Sequence, residues 1–264
     1  MTLEFWSFPT VQEAATAAKE AGAAYIGGGT LVVRAVNEGD VSITRYVRSN
    51  DPGLSRIELD GGQVTLGASV TMSRIASDER LGFIAAAARA VGGPAIRNMA
   101  TVGGNLFAPS PYGDFATALV ALKAELLVGR KWVGIDDFLA ARESSADIVS
   151  AVRFRLPEPG VLRFLKVSRI KPKGVAVLTL AAVLRTGADG RVSHASIALG
   201  GMADRPMRAK AAEGALTGAT LTAEGIASAV AVVGEGTDPP TDALASSWYR
   251  REVLPVHFRR LLLS

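Results

Sequence analysis

The chain has 264 residues, enough for two compact domains with separate cores, and its balance of 48% hydrophobic to 20% charged residues excludes a disordered chain. It has no cysteine, which excludes disulfides, thiolate metal sites and iron–sulfur clusters held by this chain's own thiolates. The net charge of +4 comes without a long Lys/Arg run or an aromatic-rich basic strand, so it reads as scattered solvent-facing arginines rather than a nucleic-acid surface, with an anionic ligand or acidic partner as the second reading.

Two histidines, His194 and His257, are too few for a convincing zinc site or a catalytic triad. His194 alternates with apolar residues in "RVSHASIALGG" and reads as a strand-surface residue. No apolar run is long enough to span a bilayer. The N-terminus lacks a basic region followed by an apolar stretch, so a cytoplasmic protein without a transmembrane segment is expected.

In chain order, Thr10 and Glu13 form a capping-box signature for a helix whose apolar face is Val11, Ala14, Ala15 and Ala18, closed by Gly22. "AAYI" is a short strand, three glycines follow it, and "TLVVRAVNEG" has the length of a short helix ended by Gly39. "RIELDGGQVTLGASVTM" reads as a hairpin around Asp60, Gly61 and Gly62. Helical patterns are expected over 71–79 and 81–91, then a second glycine-rich stretch over 91–129 whose loop residues concentrate in 101–114. "PEPG" at 157–160 is the best linker. Beyond it, "VLRFLKVSR", "VAVLTLAAVLRTG" and "GRVSHASIALGG" are strand-like, the last two joined through Asp189 and Gly190. "PMRAKAAEGALTG" and "TAEGIASAVAVVGEG" are helix-like. "SSWYRREVLPVHFRRLLL" is a closing helix expected to kink or break near Pro255. Strands followed by helices indicate a separate α+β domain.

The chemistry-bearing stretches are the two glycine loops. Gly27, Gly28 and Gly29 match neither the P-loop nor Gly-x-Gly-x-x-Gly, and alone they read as a turn as readily as a cradle. The second loop, "IRNMATVGGNLFAPSPYGD", offers Thr101, Gly103, Gly104 and Asn105 as bare amides, a hydroxyl and a short amide side chain, a composition suited to an anion-binding concavity. Asp114 follows as an acceptor for sugar or ribityl hydroxyls. Two such loops can grip a pyrophosphate from both sides.

The stretch from Ile96 to Asp114 resembles the FAD-binding (medium) subunit of the molybdenum hydroxylases, the family of carbon monoxide dehydrogenase and the xanthine dehydrogenases. The likeness continues in the first loop, Ile26-Gly27-Gly28-Gly29-Thr30-Leu31, in "FLKVSR", in "IALGGMADRPMRAKAAEGALTG" and in the closing "YRR" helix. It implies an α+β chain: a two-part FAD-binding domain of the PCMH (vanillyl-alcohol-oxidase-like) type over 1–158, with subdomains about 1–53 and 54–158, then a smaller C-terminal domain over 161–264. It implies FAD contacts from Ile26, Gly27, Gly28, Gly29, Thr30 and Leu31, and from Thr101, Gly103, Gly104 and Asn105. Asp114 would bind a ribityl or ribose hydroxyl, Val149 would lie beside the flavin, and Lys166 would stand near the isoalloxazine; a solvated strand lysine is the competing reading for Lys166. No residue is expected to act as a catalytic acid or base, and no metal is expected here.

The resemblance further implies partners: a large subunit with molybdenum cofactor and a small subunit with two [2Fe–2S] clusters, assembled as a dimer of heterotrimers. Three departures bear on the flavin environment: Leu31 follows Thr30 where the family carries Asp, Gly174 stands where an acidic contact is usual, and the segment 129–152 is short. The alternatives are a stand-alone FAD-dependent reductase of the enolpyruvyl-sugar reductase type and a scaffold module that has lost its flavin.

Overall fold

The computed structural model describes residues 3–142, 147–170 and 174–264. Residues 143–146 of the shortened segment and 171–173, next to Gly174, lie outside the described residues. The chain packs as two compact units that interleave along the sequence: residues 1–75, 93–108 and 124–156 form one, and 76–92, 109–123 and 157–264 form the other.

The first unit holds two sheets. Strands β1 (Glu4–Phe8), β2 (Ala23–Tyr25) and β3 (Arg45–Ser49) make a parallel sheet in the order β1-β3-β2. Helix α1 (Val11–Ala17) starts with both arms of the expected capping box, and its Val11, Ala14 and Ala17 join a small core with Val47, Leu54 and Ala68. The predicted strand, glycine loop and helix appear as β2, residues 26–31 and α2 (Val32–Asn37). Strand β1, which carries no strong pattern of its own, precedes them.

The second sheet is antiparallel, in the order β4-β5-β8-β6-β7, from β4 (Ile57–Asp60), β5 (Gln63–Gly67), β6 (Glu125–Val128), β7 (Lys131–Gly134) and β8 (Val149–Arg155). The expected hairpin is β4–β5: Asp60 pairs with Gln63, and Gly61 and Gly62 both take positive φ, 55° and 76°, as a two-residue turn matching strand twist requires. Helices α5 (Pro94–Met99), α6 (Val102–Phe107) and α8 (Ile135–Ala141) belong to this unit. The helix expected over 71–79 is α3 (Met72–Ser77), and the one expected over 81–91 shortens to α4 (Ala85–Ala90). Between them Asp78 accepts from the Arg80 amide and starts a single 3₁₀ turn.

The second unit is built on β9 (Leu162–Ser168), β10 (Ala176–Thr186), β11 (Val192–Gly200) and β12 (Met207–Arg208), an antiparallel sheet in the order β12-β11-β10-β9. Strand β10 is buried along nine successive residues. One face carries Leu178, Leu180, Ala182 and Leu184 into a core with α9 (Lys210–Leu216), α10 (Ala227–Val232) and α11 (Ser247–Leu262), and helix α7 (Asp114–Ala121) packs against β10 and β11. The apolar run in the sequence thus marks a two-sided strand. The expected break at Pro255 is corrected: α11 runs unbroken through it. Its inner residues Leu254, Phe258 and Leu261 are buried, and the fully buried Arg250 donates to the carbonyls of Val177 and Gly201 and to Asp242 at 2.7 Å. These anchors offset the hydrogen bond that proline removes.

Candidate functional site

In the first unit the site is made mostly of backbone. Ile26 is buried and its amide closes onto Val47 O at 2.8 Å, ending the sheet ladder. From Gly27 to Leu31 no amide donates to a protein acceptor among the described residues. Five successive N–H groups therefore stay available on a half-buried loop, a donor set for an anion. The Thr30 hydroxyl lies in the same stretch.

Gly28 explains why this loop must be bare. A Cβ there would fall 1.6 Å from Met99 O, so the two glycine loops touch backbone to backbone. A Cβ on Gly27 would meet the Thr101 hydroxyl at 2.7 Å. Gly29 has φ +72°, which β-carbon sterics disfavour. The close approach belongs to the protein itself, and the open amides are what it leaves for a ligand.

The second loop departs from expectation. Gly103, Gly104 and Asn105 do not offer bare amides. The Gly103 amide donates to Ala68 O at 2.8 Å, that of Gly104 to Thr101 Oγ1 at 3.1 Å, and that of Asn105 to Thr101 O at 3.1 Å. Thr101 is the N-cap of α6, and its own amide has no acceptor among the described residues. What this loop can give a ligand is thus the Thr101 amide and hydroxyl and the Asn105 side chain, whose Nδ2 donates one hydrogen to Thr101 O at 2.9 Å and keeps a second. Its glycines serve packing: a Cβ on Gly103 would lie 3.2 Å from Ala68 O, and one on Gly104 3.1 Å from Thr101 Oγ1.

Val149 opens β8 and is buried. Its neighbour Ser150 accepts from the Ala68 amide at 2.9 Å, and Ala68 in turn accepts from Gly103. Two consecutive backbone bonds therefore tie β8 to the second loop. In this unit the structure brings together Ile26 to Leu31, Thr101 to Asn105 and Val149.

In the second unit it brings together Asp114 and Lys166. Gly113, at φ 92°, turns the chain into α7 and sets Asp114 at the helix's positive end. Asp114 Oδ2 accepts from Lys166 Nζ at 2.7 Å, and Oδ1 accepts from Thr179 Oγ1 at 2.8 Å. Lys166 Nζ also donates to Ala90 O at 2.8 Å. With its side chain 14% exposed, Lys166 is no solvated strand residue. Thr179 was missed by the sequence reading; its signal is the lone hydroxyl in the apolar run "VAVLTLAAVL". His194 does lie on a strand, opposite Arg185, and burial, then Lys123, Arg185 and Arg208, hold its pKa below the usual histidine value.

The fold and these loops define a flavoprotein subunit of the molybdenum hydroxylase type. The model of the FAD binding domain in molybdopterin dehydrogenase matches residues 2–158, and that of the CO dehydrogenase flavoprotein C-terminal domain matches 163–264. The chain belongs to this family, is an oxidoreductase subunit, and has FAD as its cofactor. It is 30% identical over 230 residues to the nicotine 6-hydroxylase medium subunit of Paenarthrobacter nicotinovorans, covering 81% of this chain and 79% of that one. It is 26% identical to the nicotinate dehydrogenase FAD-subunit of Eubacterium barkeri, over 98% and 95% of the two chains. The solved carbon monoxide dehydrogenase from Hydrogenophaga pseudoflava that lacks the Mo-pyranopterin moiety superposes with a TM-score of 0.90 at 25% identity, over 99% of this chain and 96% of that one. Among the described residues no helix is long and apolar enough to cross a membrane.

Proposed function

We propose that this chain is the FAD-binding electron-transfer subunit of a cytoplasmic molybdenum-containing hydroxylase, receiving electrons from a [2Fe–2S] subunit and passing them to an external acceptor. In this reading the amides from Gly27 to Leu31 hold the FAD diphosphate, with Thr101 and the Asn105 side chain on its other side and Gly104 lining the loop by packing against the Thr101 hydroxyl. Gly103 keeps the second loop against Ala68, and Val149 gives a dry backbone edge beside the flavin. The family resemblance assigns Asp114 to a ribityl or ribose hydroxyl and Lys166 to the isoalloxazine. Bound FAD supplies the exchange between one-electron and two-electron carriers, while the protein binds, orients and tunes it. Substrate chemistry takes place in a partner with molybdenum cofactor; with the small subunit carrying two [2Fe–2S] clusters it completes a heterotrimer, paired as a dimer of heterotrimers.

The observation that carries this reading is the run of five acceptor-free amides on a loop clamped by Gly28. Acid release from the purified protein is expected to yield FAD and no FMN. Co-expression with the two partner subunits is expected to give a complex stable in native mass spectrometry, whose flavin bleaches on anaerobic addition of substrate. Reduction of an enolpyruvyl sugar by the isolated chain with a nicotinamide donor would overturn the proposal in favour of a stand-alone reductase.

A further inference from the structure

Lys166 on β9 and Thr179 on β10 are direct cross-strand partners. Asp114, the first residue of α7, bridges them with one carboxylate oxygen each, at 2.7 and 2.8 Å. Thr179 is 1% exposed and Asp114 8%, so neither carboxylate oxygen can readily exchange its partner for water. An ammonium has three N–H donors. Two of those on Lys166 go to Asp114 and to Ala90 O, which leaves one and fixes where it points.

We infer that Thr179 is a positioning residue for Lys166. Its hydroxyl holds Asp114 Oδ1, which stops the carboxylate from turning about its terminal torsion and so keeps Oδ2 on the lysine. Without that hydroxyl, Oδ1 is buried with no donor and the carboxylate is free to rotate. Lys166 then loses the anchor that aims its remaining N–H. The consequence for the flavin rests on the proposed placement of Lys166 beside the ring; the linkage from Thr179 to Lys166 does not.

Two measurements separate these layers. In the FAD-free full chain, acetylation of Lys166 by an N-hydroxysuccinimide ester, followed by peptide mass spectrometry, reports how firmly the amine is held. Thr179→Val is expected to raise its rate several-fold, and Thr179→Ser to leave it near wild type. Equal rates in all three proteins would overturn the inference, as would a Ser variant as reactive as the Val variant. In the FAD-loaded chain, Lys166→Met is expected to move the flavin midpoint potential to more negative values, because a cation beside the ring favours the reduced form. Thr179→Val should move it in the same direction by less, and Thr179→Ser should restore it. If Lys166→Met shifts the potential and Thr179→Val leaves it unchanged, the positioning role is wrong. If Lys166→Met itself leaves it unchanged while the acetylation rates differ as expected, the linkage stands and the placement of Lys166 beside the flavin falls. Should Thr179→Val fail to fold, Thr179→Ala carries the same comparison against Thr179→Ser.

Discussion

At residues 26–31, glycines let the first loop press its backbone onto Met99, and the amides from Gly27 onward are left without acceptors. At residues 101–105 the composition is much the same, yet the amides of Gly103, Gly104 and Asn105 are all taken by Ala68 and Thr101. The first loop follows a strand and has not yet begun its helix, so its N–H groups have nothing to close onto. The second is already the opening turn of α6, where the N-cap threonine and a neighbouring carbonyl satisfy the donors a helix start leaves over. Glycine content marks where backbones come close. Whether the amides remain for a ligand depends on what the chain does next.

Substitutions sharpen this difference, and the largest effect is expected at Gly28. Its Cβ would sit 1.6 Å from a carbonyl oxygen, a contact no side-chain rotation can relieve. Gly28→Ala should separate the loops, costing about 3 kcal/mol or more by overpacking and abolishing FAD retention. Flavin content after gel filtration, with thermal melting alongside, would check it; a variant that keeps its flavin would break the clamp argument. Gly103→Ala comes next, with contacts of 3.1 and 3.2 Å to Ala68 and a cost of about 1–3 kcal/mol. Because the Gly103 amide serves the protein, its melting temperature should fall by similar amounts with and without FAD.

Gly29→Ala tests the first loop differently. The left-handed conformation costs a residue with a β-carbon about 1–2 kcal/mol, and this Cβ would lie 3.0 Å from the Val33 side chain. If the strain is relieved by turning the free amides away, FAD affinity should drop about tenfold, since each 1.4 kcal/mol is a factor of ten. Fluorescence titration of the FAD-free chain would measure it. A lower melting temperature with unchanged affinity would show that the loop's amides are not the cradle.

Much of the fold was legible because its signals are local. Thr10 and Glu13 cap α1 from three residues apart, Gly61 and Gly62 define their hairpin within one turn, and the apolar run of β10 needs no context to read as buried. Strand β1 was not legible: only one of its five residues is even partly buried on each side of Ser7, and its ladder partner β3 lies some forty residues on. The break expected at Pro255 failed for a related reason, since the anchors that hold α11 beside it come from Val177, Gly201 and Asp242. At the site, residue identities singled out the stretches but could not show the state of their hydrogen bonds. The acceptor for Gly103 comes from Ala68, and the three members of the Asp114 network are separated by 52 and 65 positions along the chain. Such pairings exist only once the sheets have formed.

At Thr101 the two loops' chemistries meet in one residue. Its hydroxyl accepts from the Gly104 amide at 3.1 Å as the N-cap of α6, while the hydroxyl proton stays free to donate to a phosphate. Thr101→Val removes both functions and keeps the shape. Loss of the cap should lower stability by about 1 kcal/mol in the FAD-free chain. Loss of a hydrogen bond to a charged group should weaken FAD binding by a further 1.5–3 kcal/mol at most, roughly ten- to a hundred-fold. Chemical denaturation reads the first quantity and flavin titration the second, so the two are separable in one variant. Thr101→Ser should recover both, because the serine hydroxyl can cap and donate alike. A valine variant that loses stability yet binds FAD as the wild type would assign Thr101 wholly to the second loop's own architecture, leaving the phosphate to the first loop alone.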